Sequence, residues 1–263
     1  MQHTAQAFSA DGCNVTLWGQ KGEREETLRE RLAADGVILP IPLTRDGQRL
    51  NAPYAGKKPL LTDLVAMLYP GQLVAAGNAP EAFRAAVEEK GCRFIDYGRA
   101  ESYAIPNALA TAEGAIAMAI THSDRLLAGA VVAILGFGRI GKQLCRLLVA
   151  MGAKVTVAAR RESDLAFAAT MGADVQPLYK MKETLEKYTM IFNTIPIKTL
   201  KPSDFDGFSK DGIFFDLAPI YDGTEDERII RCPALPYRYS PQSAGELIYA
   251  CLLEHWKKEE GLV

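Results

Sequence analysis

The sequence predicts an α/β protein of two domains built on open, largely parallel sheets with helices on their faces. Three observations carry this. Short apolar runs alternate with helix-length segments along the chain. Its 263 residues exceed the usual size of one core. A long apolar-periodic segment separates two stretches of that alternation. The expected division is a first domain over residues 1–105, a linking helix over 106–128, a second domain over 129–240, and a C-terminal helix over 242–258 packing back on the first domain.

The chain opens on the tail of a helix over residues 3–10, then Asp11-Gly12 and a short strand over 14–18, where Val15 and Leu17 alternate with polar neighbours. An α/β domain ordinarily opens on a strand that feeds such a helix. The first strand is therefore expected to be missing and the chain shortened at its N-terminus. A charged helix over 21–34, a strand over 37–42, a turn-rich stretch over 44–59 and a helix over 62–68 follow. Residues 73–76 form a buried strand ending at Gly77-Asn78, residues 80–90 a helix with Pro80 near its first turn, and residues 92–96 a further strand.

Charge and cysteine content narrow the function. The chain has 30 Lys+Arg against 32 Asp+Glu and no long block of one sign, so neither a nucleic-acid footprint nor an acidic tail is present. Its five cysteines are odd in number, widely spaced and free of any Cys-x-x-Cys pair, which argues against a disulfide framework or a zinc site and for a reducing cytoplasm. No apolar run reaches the ~18 residues that span a bilayer, so neither membrane anchor nor export is expected. Small-molecule chemistry fits best.

The second domain begins on residues 130–135, an apolar run suited to a strand buried on both faces. Gly136-Phe137-Gly138-Arg139-Ile140-Gly141 then fits the Gly-x-Gly-x-x-Gly pattern of a Rossmann dinucleotide site. The first glycine permits the tight turn, the second lets backbone approach the pyrophosphate, and the third brings helix and strand together. Backbone N–H groups opening the next helix, residues 142–151, face the phosphates, and Arg139 adds a charge. Alone the hexapeptide is a weak signal, since glycine turns end many strands. A second strand over 154–159 completes the βαβ unit of about 30 residues that the motif requires.

At the end of that second strand, NAD-specific sites place an acid for the ribose 2′-hydroxyl, and this chain has Arg160-Arg161-Glu162-Ser163. Two guanidinium groups and the Ser163 hydroxyl suit a 2′-phosphate, favouring NADP while leaving NAD open. Ordinary solvated loop charges are the competing reading. Residues 174–177, 190–194 and 212–217 supply further strands. Ligands bind outside the carboxyl ends of such strands. Asn193, Thr194 and Pro196, with Leu217 and Ala218 of Asp216-Leu217-Ala218, are thus candidates for the nicotinamide side. Turn chemistry accounts for each of these residues equally well.

Several segments in order, Glu113-Gly114, Ile120-Thr121-His122-Ser123-Asp124, the glycine turn with Ala159-Arg160, Asn193-Thr194-Ile195-Pro196, Asp216-Leu217-Ala218 and Pro241-Gln242-Ser243-Ala244-Gly245, closely resemble the family of dipicolinate synthase A subunits. The resemblance covers most of the chain from about Glu101 onward and is looser before it. It implies a fold like that of 2-hydroxyacid dehydrogenases, with a flavodoxin-like first domain and a Rossmann domain joined by long helices. It also implies an NAD(P)-linked oxidoreductase step that makes dipicolinate from the dihydrodipicolinate synthase product. The flavoprotein-like B subunit of dipicolinate synthase is the implied partner, a small dicarboxylate the substrate, and the mother cell of a sporulating bacterium the setting. Oligomeric state is left open, a homo-oligomer included.

Three departures stand out. Pro219-Ile220-Tyr221-Asp222-Gly223 replaces the family's Pro-Gly-Gly, Gln242 stands where Lys is common, and the expected loss of the first strand removes a Gly-rich loop.

For acid–base work, His122 is the best placed of the three histidines, against the reading that it is a hydrogen-bonded interior or interface residue. Thr111 and Glu113, read as lying at a helix start, are substrate-binding candidates at the hinge, against a capping role. Residues 240–245 open the last helix and offer N–H groups to a carboxylate. A 2-hydroxyacid dehydrogenase is disfavoured, because Pro219 occupies the region of its Arg and no His lies between Leu217 and Glu254. A non-catalytic, dinucleotide-binding regulatory protein remains as the other alternative.

Overall fold

The structure, a computed structural model, describes residues 1–19, 28–221 and 226–259. Its elements are α1 (Gln2–Ala10), α2 (Leu28–Arg31), β1 (Gly36–Ile38), α3 (Leu61–Met67), β2 (Leu73–Ala76), α4 (Glu81–Glu89), β3 (Arg93–Asp96) and α5 (Glu101–His122), then β4 (Val131–Leu135), α6 (Arg139–Ala150), β5 (Lys154–Ala159), α7 (Glu162–Thr170), β6 (Asp174–Pro177), β7 (Met190–Asn193), β8 (Ile213–Asp216), β9 (Ile229–Arg231), α8 (Leu235–Tyr239) and α9 (Pro241–Glu259). The chain divides into two compact units, Met1–Pro106 with Gln242–Val263, and Asn107–Pro241. The expected two-domain α/β class is borne out.

The first unit carries a parallel sheet of order β1-β2-β3. Its central strand β2 is wholly buried, and its alternation assigns residues to two cores. Val74 and Ala76 pack with Leu61, Leu64, Phe83 and Val87 of α3 and α4 on one face. Leu73 and Ala75 pack with Phe8 of α1 and Ile248, Cys251 and Leu252 of α9 on the other. Helix α9 is pinned to α1 by the edge-on pair Phe8–Tyr249 and by the Tyr249 hydroxyl donating to Asp11 at 2.9 Å. Gly245 makes this closeness feasible, since a Cβ there would lie 2.5 Å from His3 Cβ and 2.7 Å from the Thr4 backbone nitrogen.

The second unit carries six parallel strands in the order β6-β5-β4-β7-β8-β9. Val132 and Ile134 of β4 join the core beneath α5, α6 and α8, while Ala133 and Leu135 join Met181, Leu185 and Phe205 on the other face. That second face is covered by 3-10 turns, Leu178–Glu183, Leu185–Lys187 and Pro202–Gly207. Each turn runs at most six residues, the usual length of a 3-10 segment.

Two expectations are corrected. Residues 14–18 form no strand; Trp18 instead packs against the first unit's core. Within the expected helix 21–34 the described residues hold α2 and its following turn, and residues 20–27 lie outside the described residues, as do Asp222 and Gly223. The linking helix runs from Glu101 to His122 rather than over 106–128: Pro106 is accommodated inside it, and residues 123–130 are loop. Strand β9 and helix α8 carry no clear periodic signal and add to the expected elements.

Candidate dinucleotide-binding site

The glycine turn sits between β4 and α6, where strand order reverses and two neighbouring loops part to leave a crevice. Each glycine meets a different constraint. Gly136 has φ of +92°, and a Cβ there would lie 2.6 Å from Thr194 Oγ1 and 2.8 Å from Ile195 Cγ1. A Cβ on Gly141 would run into the carbonyl oxygen of Gly136, so this glycine lets α6 close on the turn. Above Gly138 a Cβ would meet nothing within 4 Å. That open space over extended backbone is what an approaching phosphate requires, and the residues fit a dinucleotide pyrophosphate.

Electrostatics agree. Helix α6 has glycine as its N-cap and no acidic residue in its first turn. Its early N–H groups have no intrahelical acceptor, so helix dipole and amides favour an anion. Arg139 is exposed on the first turn, and Ile140 is half-buried against the core. Lys142, a cation that the motif alone does not single out, holds its ammonium 5.9 Å and 5.5 Å from the ring centres of Phe137 and Phe167. Its place one residue after the third glycine is the signal that could have found it.

Across the crevice lie the loops after β7 and β8. Asn193 and Asp216 are completely buried, with Asn193 Nδ2 donating to Asp216 Oδ1 at 2.9 Å. Asn193 also turns the chain locally: Nδ2 donates to the Ile195 carbonyl and Oδ1 accepts from the Ile195 amide, both at 3.2 Å. The other Asp216 oxygen accepts the Tyr221 amide at 2.8 Å. Thr194 Oγ1 donates to the Leu135 carbonyl at 2.9 Å. The side chains of Asn193 and Thr194 thus shape the edge of the sheet beside the glycine turn. Leu217 is likewise turned into the core, while Ala218 is half-buried and Pro196 exposed. Beside Asp216, burial first and that carboxylate second push the Cys232 thiol up to about 12, so it stays protonated.

At the end of β5, Arg160 and Ser163 are exposed. Arg161 differs: its guanidinium clasps Asp164 through Nε at 2.8 Å and Nη2 at 3.1 Å. The pair sits at the start of α7, whose first turn also holds Glu162. Two carboxylates there oppose a phosphate, leaving Arg160 and Ser163 as the groups suited to one.

The catalytic candidates do not form one constellation. Thr111 and Glu113 lie in the middle of α5, ten or more residues past its start, so neither can cap it. Thr111 is buried and its hydroxyl donates to the Asn107 carbonyl at 2.7 Å. Glu113 is exposed. His122 is the last residue of α5, its Nδ1 2.8 Å from the Met118 carbonyl oxygen. Eleven residues of helix separate Thr111 from His122, about 16 Å, so the two cannot flank one reacting atom. Among the described residues no cluster of three His, Cys, Asp or Glu is placed to hold a metal, and no helix is long and apolar enough to cross a membrane.

Strand order, glycine turn and the basic first turn of α6 are those of a Rossmann-type dinucleotide-binding domain. Residues 107–202 match the D-isomer specific 2-hydroxyacid dehydrogenase NAD-binding domain. Residues 2–98 match the N-terminal domain of the dipicolinate synthase A subunit. The dipicolinate synthase A subunit of Bacillus subtilis (strain 168) is 27% identical over 238 residues, covering 86% of this chain and 80% of that protein. The crystal structure of the dipicolinate synthase A subunit from Bacillus halodurans is 28% identical with a TM-score of 0.74, over 84% of this chain and 79% of that one. The dipicolinate synthase A chain from Bacillus subtilis aligns at a TM-score of 0.75 and 24% identity, over 87% of this chain and 80% of that one, a likeness of fold. This chain is similar to the dipicolinate synthase A subunits, and the resemblance seen in its sequence is borne out.

Proposed function

We propose that the chain acts as the A subunit of dipicolinate synthase, an NADP-linked oxidoreductase that works with a B subunit on the dihydrodipicolinate synthase product. The open space above Gly138, between a closed glycine turn and a helix start free of carboxylates, is the observation that carries the dinucleotide part. When bound, the nicotinamide supplies hydride exchange. The chain's part is to seat the pyrophosphate on the α6 amides, hold the 2′-phosphate with Arg160 and Ser163, and keep the crevice walls in place through Asn193 and Asp216. Glu113, exposed on α5, is the preferred of the three catalytic candidates. The setting that goes with this reading is the cytoplasm of a sporulating mother cell.

The commitment of the Thr111 hydroxyl and the distance to His122 favour a second reading, a dinucleotide-binding protein without turnover of its own. Calorimetry with NADP and NAD on wild type, Arg160→Ala and Arg161→Ala, followed by dipicolinate formation with the B subunit present, separates them. Arg160→Ala is expected to weaken NADP by about tenfold to a hundredfold and leave NAD unchanged, as expected for loss of a charge-assisted bond. Arg161→Ala is expected to change NADP little. Binding without product in the complete complex favours the second reading, and no binding by wild type overturns both.

A further inference from the structure

The loop between Thr194 and Leu200 is stapled at both ends. At its start, Asn193 is bonded to Asp216. At its end, the Tyr221 hydroxyl accepts the amides of Thr199 at 3.1 Å and Leu200 at 3.0 Å and donates to the Leu200 carbonyl at 3.3 Å. One donor and two acceptors are all that a hydroxyl has. The ring is completely buried, edge-on to Phe214 at 5.2 Å and to Phe205 at 6.2 Å, so it has no room to swing. The Tyr221 backbone is held in turn by Asp216 Oδ2. Between the staples, Pro196, Ile197 and Lys198 stand exposed, and the start of the loop abuts Gly136 closely enough to exclude a Cβ there.

We propose that Tyr221 is a positioning residue of the dinucleotide site, its hydroxyl latching the loop after β7 to the loop after β8 and so fixing the crevice wall that faces the nicotinamide half of the cofactor. In a doubly wound sheet the adenine half of a dinucleotide would lie on the β5 side of the glycine turn, away from this latch.

The proposal rests on the dinucleotide reading, and its test separates the two. Tyr221→Phe keeps the ring in its aromatic pocket and removes only the hydroxyl. Binding is measured by calorimetry with NADP and with adenosine 2′,5′-bisphosphate, which carries the adenine half alone. The variant is expected to bind NADP about tenfold more weakly and the bisphosphate within about twofold of wild type. Unchanged NADP affinity, or an equal loss for both probes, overturns the latch; a wild type that binds neither probe overturns the dinucleotide reading instead. Amide hydrogen exchange on wild type decides the matter if the variant does not fold. The Thr199 and Leu200 amides are then expected to exchange far more slowly than those of Ile197 and Lys198, and equal rates would discard the proposal.

Discussion

The three glycines of the turn are interchangeable as letters and not as residues. Gly141 packs against backbone, so Gly141→Ala is expected to lower stability by at least about 2 kcal/mol in a urea melt and to abolish dinucleotide binding with it. Gly138 faces open space at φ of −78°, which any residue adopts. Gly138→Ala is therefore expected to melt like wild type while binding NADP at least tenfold more weakly, because its methyl takes the place of phosphate. A loss of stability equal to that of Gly141→Ala would show that the space is not a ligand site. The motif itself was legible in the sequence because glycine is chemically distinct. The commitments of Asn193 and Thr194 were not, since an amide at a strand end reads the same whether it faces a ligand or Asp216.

Helix α5 illustrates what a periodic pattern leaves out. Its apolar stripe was plain, but Pro106 placed its start five residues late, because a proline forfeits one helical hydrogen bond without necessarily ending the helix. Glu113-Gly114 carried family resemblance, and the glycine has a packing reason. A Cβ on Gly114 would lie 2.9 Å from Leu235 Cβ and 3.2 Å from Tyr239 Cδ2, so α8 rides directly on α5. Gly114→Val is expected to cost about 1–3 kcal/mol in denaturant melts, while Glu113→Gln beside it is expected to leave the melt unchanged. Should Gly114→Val melt like wild type, the α5–α8 contact is looser than described.

Across the molecule, each unit has its own cores. The second unit buries both faces of its sheet using residues 107–241 alone. That fragment is expected to fold cooperatively by circular dichroism and to bind adenosine 2′,5′-bisphosphate as the full chain does. A fragment that is unfolded would show that the first unit is needed for stability. Buried thiols set a pH limit on the whole chain. Burial raises Cys145 to about 11 and Cys232 to about 12, above the ordinary thiol value near 9. Between these values the unfolded chain has released protons that the folded chain retains, so stability is expected to fall as pH rises through 9. Urea midpoints at pH 8 and 10 measure the drop, which Cys145→Ala with Cys232→Ala is expected to reduce. Exposed Cys13 is expected to react fast with a thiol reagent and the four buried cysteines only on unfolding.

By itself the sequence determined the α/β class, the βαβ unit with its glycine turn, and the likeness to dipicolinate synthase A subunits. The class and the unit depend on local periodicity and on residues of singular conformational freedom, and the likeness to dipicolinate synthase A subunits on motifs in order. Tertiary structure alone decided which polar side chains remain for a ligand. Asn193 is bonded to Asp216, while Tyr221 is drawn inside to tie two loops together. Each outcome depends on which donor meets which acceptor once strands far apart in sequence lie side by side, and no single segment carries that information.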